Sequence, residues 1–365
     1  MGNVTWNRVA AEELCSTGRQ ERQSHHVKVT GLKNYGSTCY MNCLIQSFFV
    51  TPMFRIQLNE WQHLENKIIA DLQGIFMNLE RGLQSVDTYN LANSLNHLKW
   101  TVNKQQDLEE FFQMVINAID VEDVRKVYEV ALLDSLTCLR CNTETTTMLS
   151  YLDISLPLSM DASARLEGAL QHFLEEEDMK GEDKPFCEKC KTKQIMRKKG
   201  SFVTLPQVLV IHLNRFVYDI QHQRHVKLER PVDIPHTLRF KKDSVGYVPV
   251  CQTDENLEEI LRRRDGNPDK DPGYEHFKLF SICVHCGDLE RGHYYAYIRH
   301  HENDQWYLCN DSAVRKTDWS YIRVKLRMKD ARNDSDVRWR NLHNKVQSST
   351  NRHSTAILLM YERCL

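Results

Sequence analysis

The chain has 365 residues, 41% hydrophobic and 27% charged, a composition ordinary for a soluble globular protein and long enough for a large core in about two or three lobes. Lys plus Arg (48) nearly cancels Asp plus Glu (49), so no global field argues for nucleic acid or a membrane surface. No apolar run approaches the roughly 18 residues of a membrane span, and 12 cysteines without a secretory core or a myristoylation pattern predict reduced thiols used for metal or catalysis, in the cytoplasm or nucleus.

Residues 1–30 are polar, without a sustained period, and read as a tail. From Cys39 the residues Met41, Leu44, Ile45, Phe48 and Phe49 fall at helical spacing, predicting a helix with one buried face. Gly36 permits a tight turn before it, and Ser37 or Thr38 is expected to cap it. Cys39 then lies in the first turn, where unpaired N–H groups and the macrodipole favour a thiolate. By position alone, a small buried core cysteine fits equally well.

Helical character continues to about residue 130, with a second stripe at Leu108, Phe111, Phe112, Val115, Ile116 and Ile119. Short β pieces follow at 145–147, 151–156 and 202–216, and the nearly continuous apolar run 208–213 predicts a strand covered on both faces, with His212 packed in it. Residues 175–178 read as a solvated turn or helix end, and 241–273 as a surface loop. Further strands are expected at 277–285, 293–299, 306–309 and 357–361. The basic segment 321–353 reads as a solvated insertion, with a docking patch as the alternative.

Two C-x-x-C pairs, Cys138 with Cys141 and Cys187 with Cys190, suit a closed, structural tetrahedral Zn²⁺ site at the tips of two long hairpins; chance surface cysteines are the alternative. The third spacing, Cys283 and Cys286, lies in a strand pattern that sends the two thiols to opposite faces, so it is not expected to chelate. A cysteine nucleophile needs a base and a group to hold that base. If the strands at 293–299 and 306–309 pair about the turn 300–304, His293 and Asn310 meet, and Asn310 can orient the imidazole toward Cys39 in Cys-His-Asn fashion. Residues 310–312 otherwise read as a plain turn. Asn34 is a candidate oxyanion donor, joined by the backbone N–H of Cys39, or else a turn residue.

These motifs resemble the ubiquitin-specific proteases. Gly31-Leu-x-Asn34-x-Gly36-x-Thr38-Cys39-Tyr-x-Asn42 resembles their Cys box, and Gln105-Gln-Asp107-x-x-Glu110-Phe111 their Gln-Gln-Asp box. His285-Cys-Gly287, Gly292-His293-Tyr294 and Trp306 to Asp311 resemble their His box, in the family's order over about residues 30–363. The resemblance implies an α+β, papain-like cysteine protease fold in one catalytic domain over 31–365. Within it a helical thumb (about 31–130), zinc-bearing β fingers (about 131–205) and a β-rich palm (about 206–365, with the basic insertion 321–353) are expected. It implies a thiol isopeptidase cutting after the modifier's C-terminal glycine, with Cys39 as nucleophile, His293 as base, Asn310 as orienter, Asn34 as oxyanion donor and Asp311 assisting. Gln105, Asp107, Glu110, Arg215, Phe216, Tyr218, His285 and Tyr294 match positions lining the channel for the modifier's tail. Asp107 also opens an apolar helix as a capping residue.

Two departures stand out: Arg291 replaces a small residue before Gly-His, and Asn310 stands where Asp is frequent. The expected partner is ubiquitin conjugated to proteins. The alternatives are the interferon-induced two-domain ubiquitin-like modifier, whose branch shares this length and the pattern around Cys138, and a weakly active scaffold that docks a modifier or a signalling partner.

Overall fold

The structure, a computed structural model, describes residues 29–61, 65–98, 100–101, 106–158, 164–219, 222–250, 273–288, 292–328 and 354–364. Most of the polar tail, part of the loop 241–273, Gln105, Arg291 and the basic stretch 329–353 lie outside the described residues.

The apolar spacing after Cys39 folds as the helix Cys39–Phe49, and five more helices follow up to Tyr128 in the described residues. The first of them departs from the expected amphipathic pattern, because every residue from Cys39 to Phe49 is buried. It runs between the other helices and the main sheet, so its polar positions must find partners inside. Gln46 donates to the Thr30 carbonyl (2.8 Å), and Ser47 meets the Ser281 hydroxyl (2.7 Å). The second stripe forms the helix Leu108–Ile119, all of its apolar positions buried.

From Val130 the chain builds one large sheet. Its ordered path runs from Ala313–Thr317 through Trp306–Asn310 and Gly292–Arg299 to the long strand Tyr274–Gly287. One branch then continues through Ser354–Arg363 and Val208–Asn214 to Ile154–Pro157. The other passes through Thr237–Lys242, Tyr247–Pro249 and Met196–Thr204 to Val130–Cys138 and Glu144–Tyr151. Both faces of the central strands are covered, which explains their continuous apolar sequences. Val208, Val210, Cys283, Tyr294 and Ala296 join the helical core on one face. Leu209, Ile211, Ile282, Val284 and Tyr295 join a second core on the other, with Leu166 and Leu170 of the helix Leu166–Leu174. Cys283 and Cys286 accordingly divide between the two faces, Cys286 packing against the second core.

Several sequence expectations need correction. The helix Leu166–Leu174 interrupts the region read as β pieces, and residues 177–179 form a short strand (Glu177–Met179) beside Met196–Thr204. The start of the basic segment is not a solvated insertion. It belongs to the helix Trp319–Lys325, capped by Asp318 through the Tyr321 N–H (2.8 Å), with Ile322, Val324, Leu326 and Met328 buried. Among the described residues, no helix is long and apolar enough to cross a membrane.

Candidate active site

Cys39 is the first residue of its helix and is buried. Thr38 holds the N-cap position but does not cap with its side chain. Its hydroxyl accepts from the Tyr35 N–H (3.0 Å) and donates to Asn34 Oδ1 (3.2 Å). The positive end of the helix therefore meets the sulfur without a side-chain cap competing for its N–H groups.

The strand Gly292–Arg299 crosses this helix end, and the Tyr294 N–H donates to Cys39 Sγ at 3.5 Å. Ala296 pairs with Cys309 in register, which sets Asn310 diagonally across from His293. His293 Nε2 donates to Asn310 Oδ1 at 2.6 Å, and the ring is near enough to the Cys39 sulfur to interact with it electrostatically. That sulfur contact, helped by Asn310 and by the negative charge of Asp311, raises the His293 pKa to about 9 against the effect of burial. His293 is thus protonated at neutral pH, and a cation beside the sulfur stabilises negative charge on it. The pair contributes stability fully below the ordinary histidine pKa of about 6.5, and loses it as pH rises through about 9.

The turn reading of 310–312 also holds, since Asp311 takes a left-handed φ of 49°. Its Oδ2 accepts from Asn34 Nδ2 (2.9 Å), its Oδ1 accepts from Asn42 Nδ2 (2.7 Å), and Oδ2 lies 3.8 Å from His293 Nε2. Asn310, at 2.6 Å against 3.8 Å for Asp311, is the nearer partner of the ring. The Leu32 N–H donates to the Asp311 carbonyl (2.9 Å), drawing the strand Gly31–Leu32 so close that a Cβ on Gly31 would lie 2.5 Å from the Ser312 carbonyl oxygen. Gly31→Ala is expected to cost about 1–3 kcal/mol through overpacking and to lower activity by displacing this turn. Denaturant unfolding together with kcat checks it, and unchanged values of both would contradict the close approach.

Asp107 caps the helix Leu108–Ile119, accepting from the Glu109 (2.8 Å) and Glu110 (3.2 Å) N–H groups. Glu110 and Tyr218 are exposed, and Phe216 is half-buried. Three residues expected to line the channel are instead buried: Arg215 (2% exposed), His285 (1%) and Tyr294 (3%). The Arg215 guanidinium donates to the carbonyls of Ala356 (2.6 Å), Leu228 (2.8 Å) and Arg230 (2.7 Å), bracing the backbone from within. His285 sits against the Phe216 and Tyr294 rings, and burial lowers its pKa to about 3, so the ring is a neutral support.

Sequence reasoning missed Asp153 and Gln113. Gln113 donates to Asp153 Oδ1 (2.9 Å) and to Glu109, and burial with the neighbouring carboxylates of Asp153, Asp107 and Glu110 pushes Glu109 up to about 7. The only available sequence signal was the four-residue spacing of Glu109 and Gln113 on one helix face.

Cys138, Cys141, Cys187 and Cys190 bring their four sulfurs within 4.8 Å of one another. The Cys138–Cys190 and Cys141–Cys187 sulfurs are 3.9 and 3.7 Å apart, near the edge of about 3.8 Å for a tetrahedron with metal–sulfur bonds of about 2.3 Å. The two knuckles fold alike: the Asn142 and Lys191 N–H groups each close on the carbonyl of the first cysteine at 2.8 Å, and both residues have positive φ. Such a set could hold a metal ion. The first knuckle ends a long hairpin, Val130–Cys138 with Glu144–Tyr151, but the second sits on a short one, Phe186–Cys187 with Thr192–Lys193. Met196 pairs with Cys138, and this register brings the short hairpin alongside the first knuckle.

Residues 30–361 match the family model described as ubiquitin carboxyl-terminal hydrolase. The chain is 30% identical to ubiquitin carboxyl-terminal hydrolase 47 of Drosophila melanogaster, over 78% of this chain and 22% of that protein. It is 28% identical to the protein of the same name in Mus musculus, over 78% and 25%. It thus spans a quarter or less of these relatives' own length. The structure of the SAGA Ubp8/Sgf11/Sus1/Sgf73 DUB module bound to ubiquitin aldehyde superposes with a TM-score of 0.69 at 23% identity, covering 97% of this chain and 74% of that one. That likeness carries the papain-like fold. By the family model spanning nearly its whole length, this chain belongs to the ubiquitin carboxyl-terminal hydrolase family.

Proposed function

We propose that the chain is a thiol-dependent isopeptidase hydrolysing the bond after the C-terminal glycine of ubiquitin conjugated to proteins. One observation carries this reading: a buried sulfur at a helix start, bonded by the Tyr294 N–H, with the neighbouring His293 imidazole held by a side-chain amide oxygen. The Cys39 thiolate attacks the glycine carbonyl, and the oxyanion takes hydrogen bonds from Asn34 Nδ2 and the Cys39 N–H. His293 gives its proton to the departing lysine amine as the C–N bond breaks, leaving a thioester. Neutral His293 then takes a proton from water, whose oxygen attacks the thioester, and the thiolate leaves. The exposed Glu110 and Tyr218, with the half-buried Asp107 and Phe216, fit an arginine-bearing, glycine-ended tail held between the helical 31–130, knuckle-bearing 131–205 and sheet-rich 206–365 regions. Cys138, Cys141, Cys187 and Cys190 would hold Zn²⁺, whose contribution is to tie the two knuckles together.

Ubiquitin is proposed over the two-domain modifier because the similar hydrolases are named for ubiquitin. Comparing turnover of isopeptide-linked ubiquitin with that of the two-domain modifier tests both points. Ubiquitin turnover well above the other is expected; the reverse order overturns the modifier choice, and no turnover of either overturns the isopeptidase. A pH profile probes the base separately. Activity should fall as pH rises through about 9, where His293 loses its proton. Asn310→Ala removes an acceptor that favours the charged ring, so the basic limb should move to lower pH. A limb that stays in place would rule out Asn310 as the orienter.

A further inference from the structure

We propose that Asn42 is a positioning residue for the hydrolytic step, fixing through Asp311 the Asn34 amide that faces the developing oxyanion. The inference rests on the isopeptidase reading above. Asn42 lies three residues after Cys39, on the same side of the helix, and is buried. Its Nδ2 donates to Asp311 Oδ1 at 2.7 Å and to the Lys33 carbonyl at 3.2 Å. The other oxygen of the same carboxylate accepts from Asn34 Nδ2 at 2.9 Å. Asp311 is thus gripped by two amides, one from the nucleophile helix and one from the loop before it.

Asn34 is also held at its other end, where Oδ1 accepts from the Thr38 N–H (3.3 Å) and hydroxyl (3.2 Å). One of its two amide hydrogens goes to Asp311, so the second is left for an oxyanion. A donor of this kind works through preorganisation, which requires Asp311 itself to stay in place. Without Asn42, the carboxylate could turn toward His293, whose Nε2 already lies 3.8 Å away. Asn42 Oδ1 is buried without a hydrogen-bond partner among the described residues, so there the side chain is satisfied through its amino end, where a carboxylate makes the bond charge-assisted.

The test separates oxyanion binding from thiolate reactivity. Ubiquitin aldehyde forms a tetrahedral adduct with an oxygen in the oxyanion position, whereas iodoacetamide only alkylates the sulfur. Asn42→Ala is expected to lower kcat on a ubiquitin–fluorophore substrate about 10- to 100-fold, below the loss from deleting an oxyanion donor outright, with KM within about twofold. Affinity for ubiquitin aldehyde should fall by a similar factor, while Cys39 alkylation keeps its wild-type rate. Should Asn42→Ala fail to fold, Asn42→Asp supplies the second arm. It opposes two carboxylates, and the double variant Asn42→Asp/Asp311→Asn should recover most of the aldehyde affinity by exchanging their roles. Unmoved aldehyde affinity, alkylation falling in parallel with it, or a double variant no better than Asn42→Asp would each overturn the proposal. A wild-type chain without turnover would overturn the isopeptidase reading and this one with it. Wild-type turnover with aldehyde affinity unmoved in Asn42→Ala overturns this one alone.

Discussion

Cys39→Ala is expected to lower hydrolysis of ubiquitin conjugates by a factor on the order of 10⁶, the loss seen when the nucleophile of a catalytic set is removed. Ubiquitin affinity should stay within about twofold, because the sulfur is buried at the helix start and takes little part in holding the surrounding surface. The helix itself keeps its anchors, since Gln46 bonds to Thr30 and Ser47 to Ser281 independently of the thiol. Turnover and equilibrium binding measured on one preparation check this. A residual rate within about a hundredfold of wild type would mean that another group attacks, since His293 and Asn310 alone supply acid–base help of at most about 10²- to 10⁴-fold.

Cys138→Ser should act on stability and metal content together. Cys138 is fully buried at the end of Val130–Cys138, and its sulfur lies 3.9 Å from that of Cys190. Structural zinc contributes on the order of 10 kcal/mol to folding of small zinc peptides. Losing one of four ligands should therefore release about one equivalent of zinc and lower the thermal midpoint by about 10 °C or more. Metal analysis and calorimetry on the same sample provide the check. Undiminished zinc would contradict the four-cysteine site, and a lost metal with an unchanged midpoint would contradict its structural role.

The spatial grouping of Cys39, His293 and Asn310 was legible because each member carries its own local signal. Cys39 opens an apolar period, and the turn after Arg299 sets the register that brings Asn310 to His293. The clustering of the four cysteines was legible from spacing alone. Partners supplied by distant backbone were not. Arg215 matches a channel-lining position only through the family resemblance, yet carbonyls of Leu228, Arg230 and Ala356 converge on it after folding. Thr38 has capping chemistry, but Asn34 and Tyr35 claim its hydroxyl first. The full burial of the Cys39 helix was hidden in the same way: Asn42, Gln46 and Ser47 look solvent-facing until Asp311, Thr30 and Ser281 meet them. The helix Leu166–Leu174 is too short, at 9 residues, for its period to stand out among β pieces.

The account turns on whether the Cys39 sulfur is the atom that a ubiquitin C-terminus meets. Ubiquitin bearing a C-terminal electrophile, followed by digestion and mass mapping of the adduct, addresses this directly. A single adduct on Cys39, absent from Cys39→Ser and slowed in His293→Ala, is the predicted result. An adduct on any other cysteine, or labelling that persists in Cys39→Ser, would contradict it.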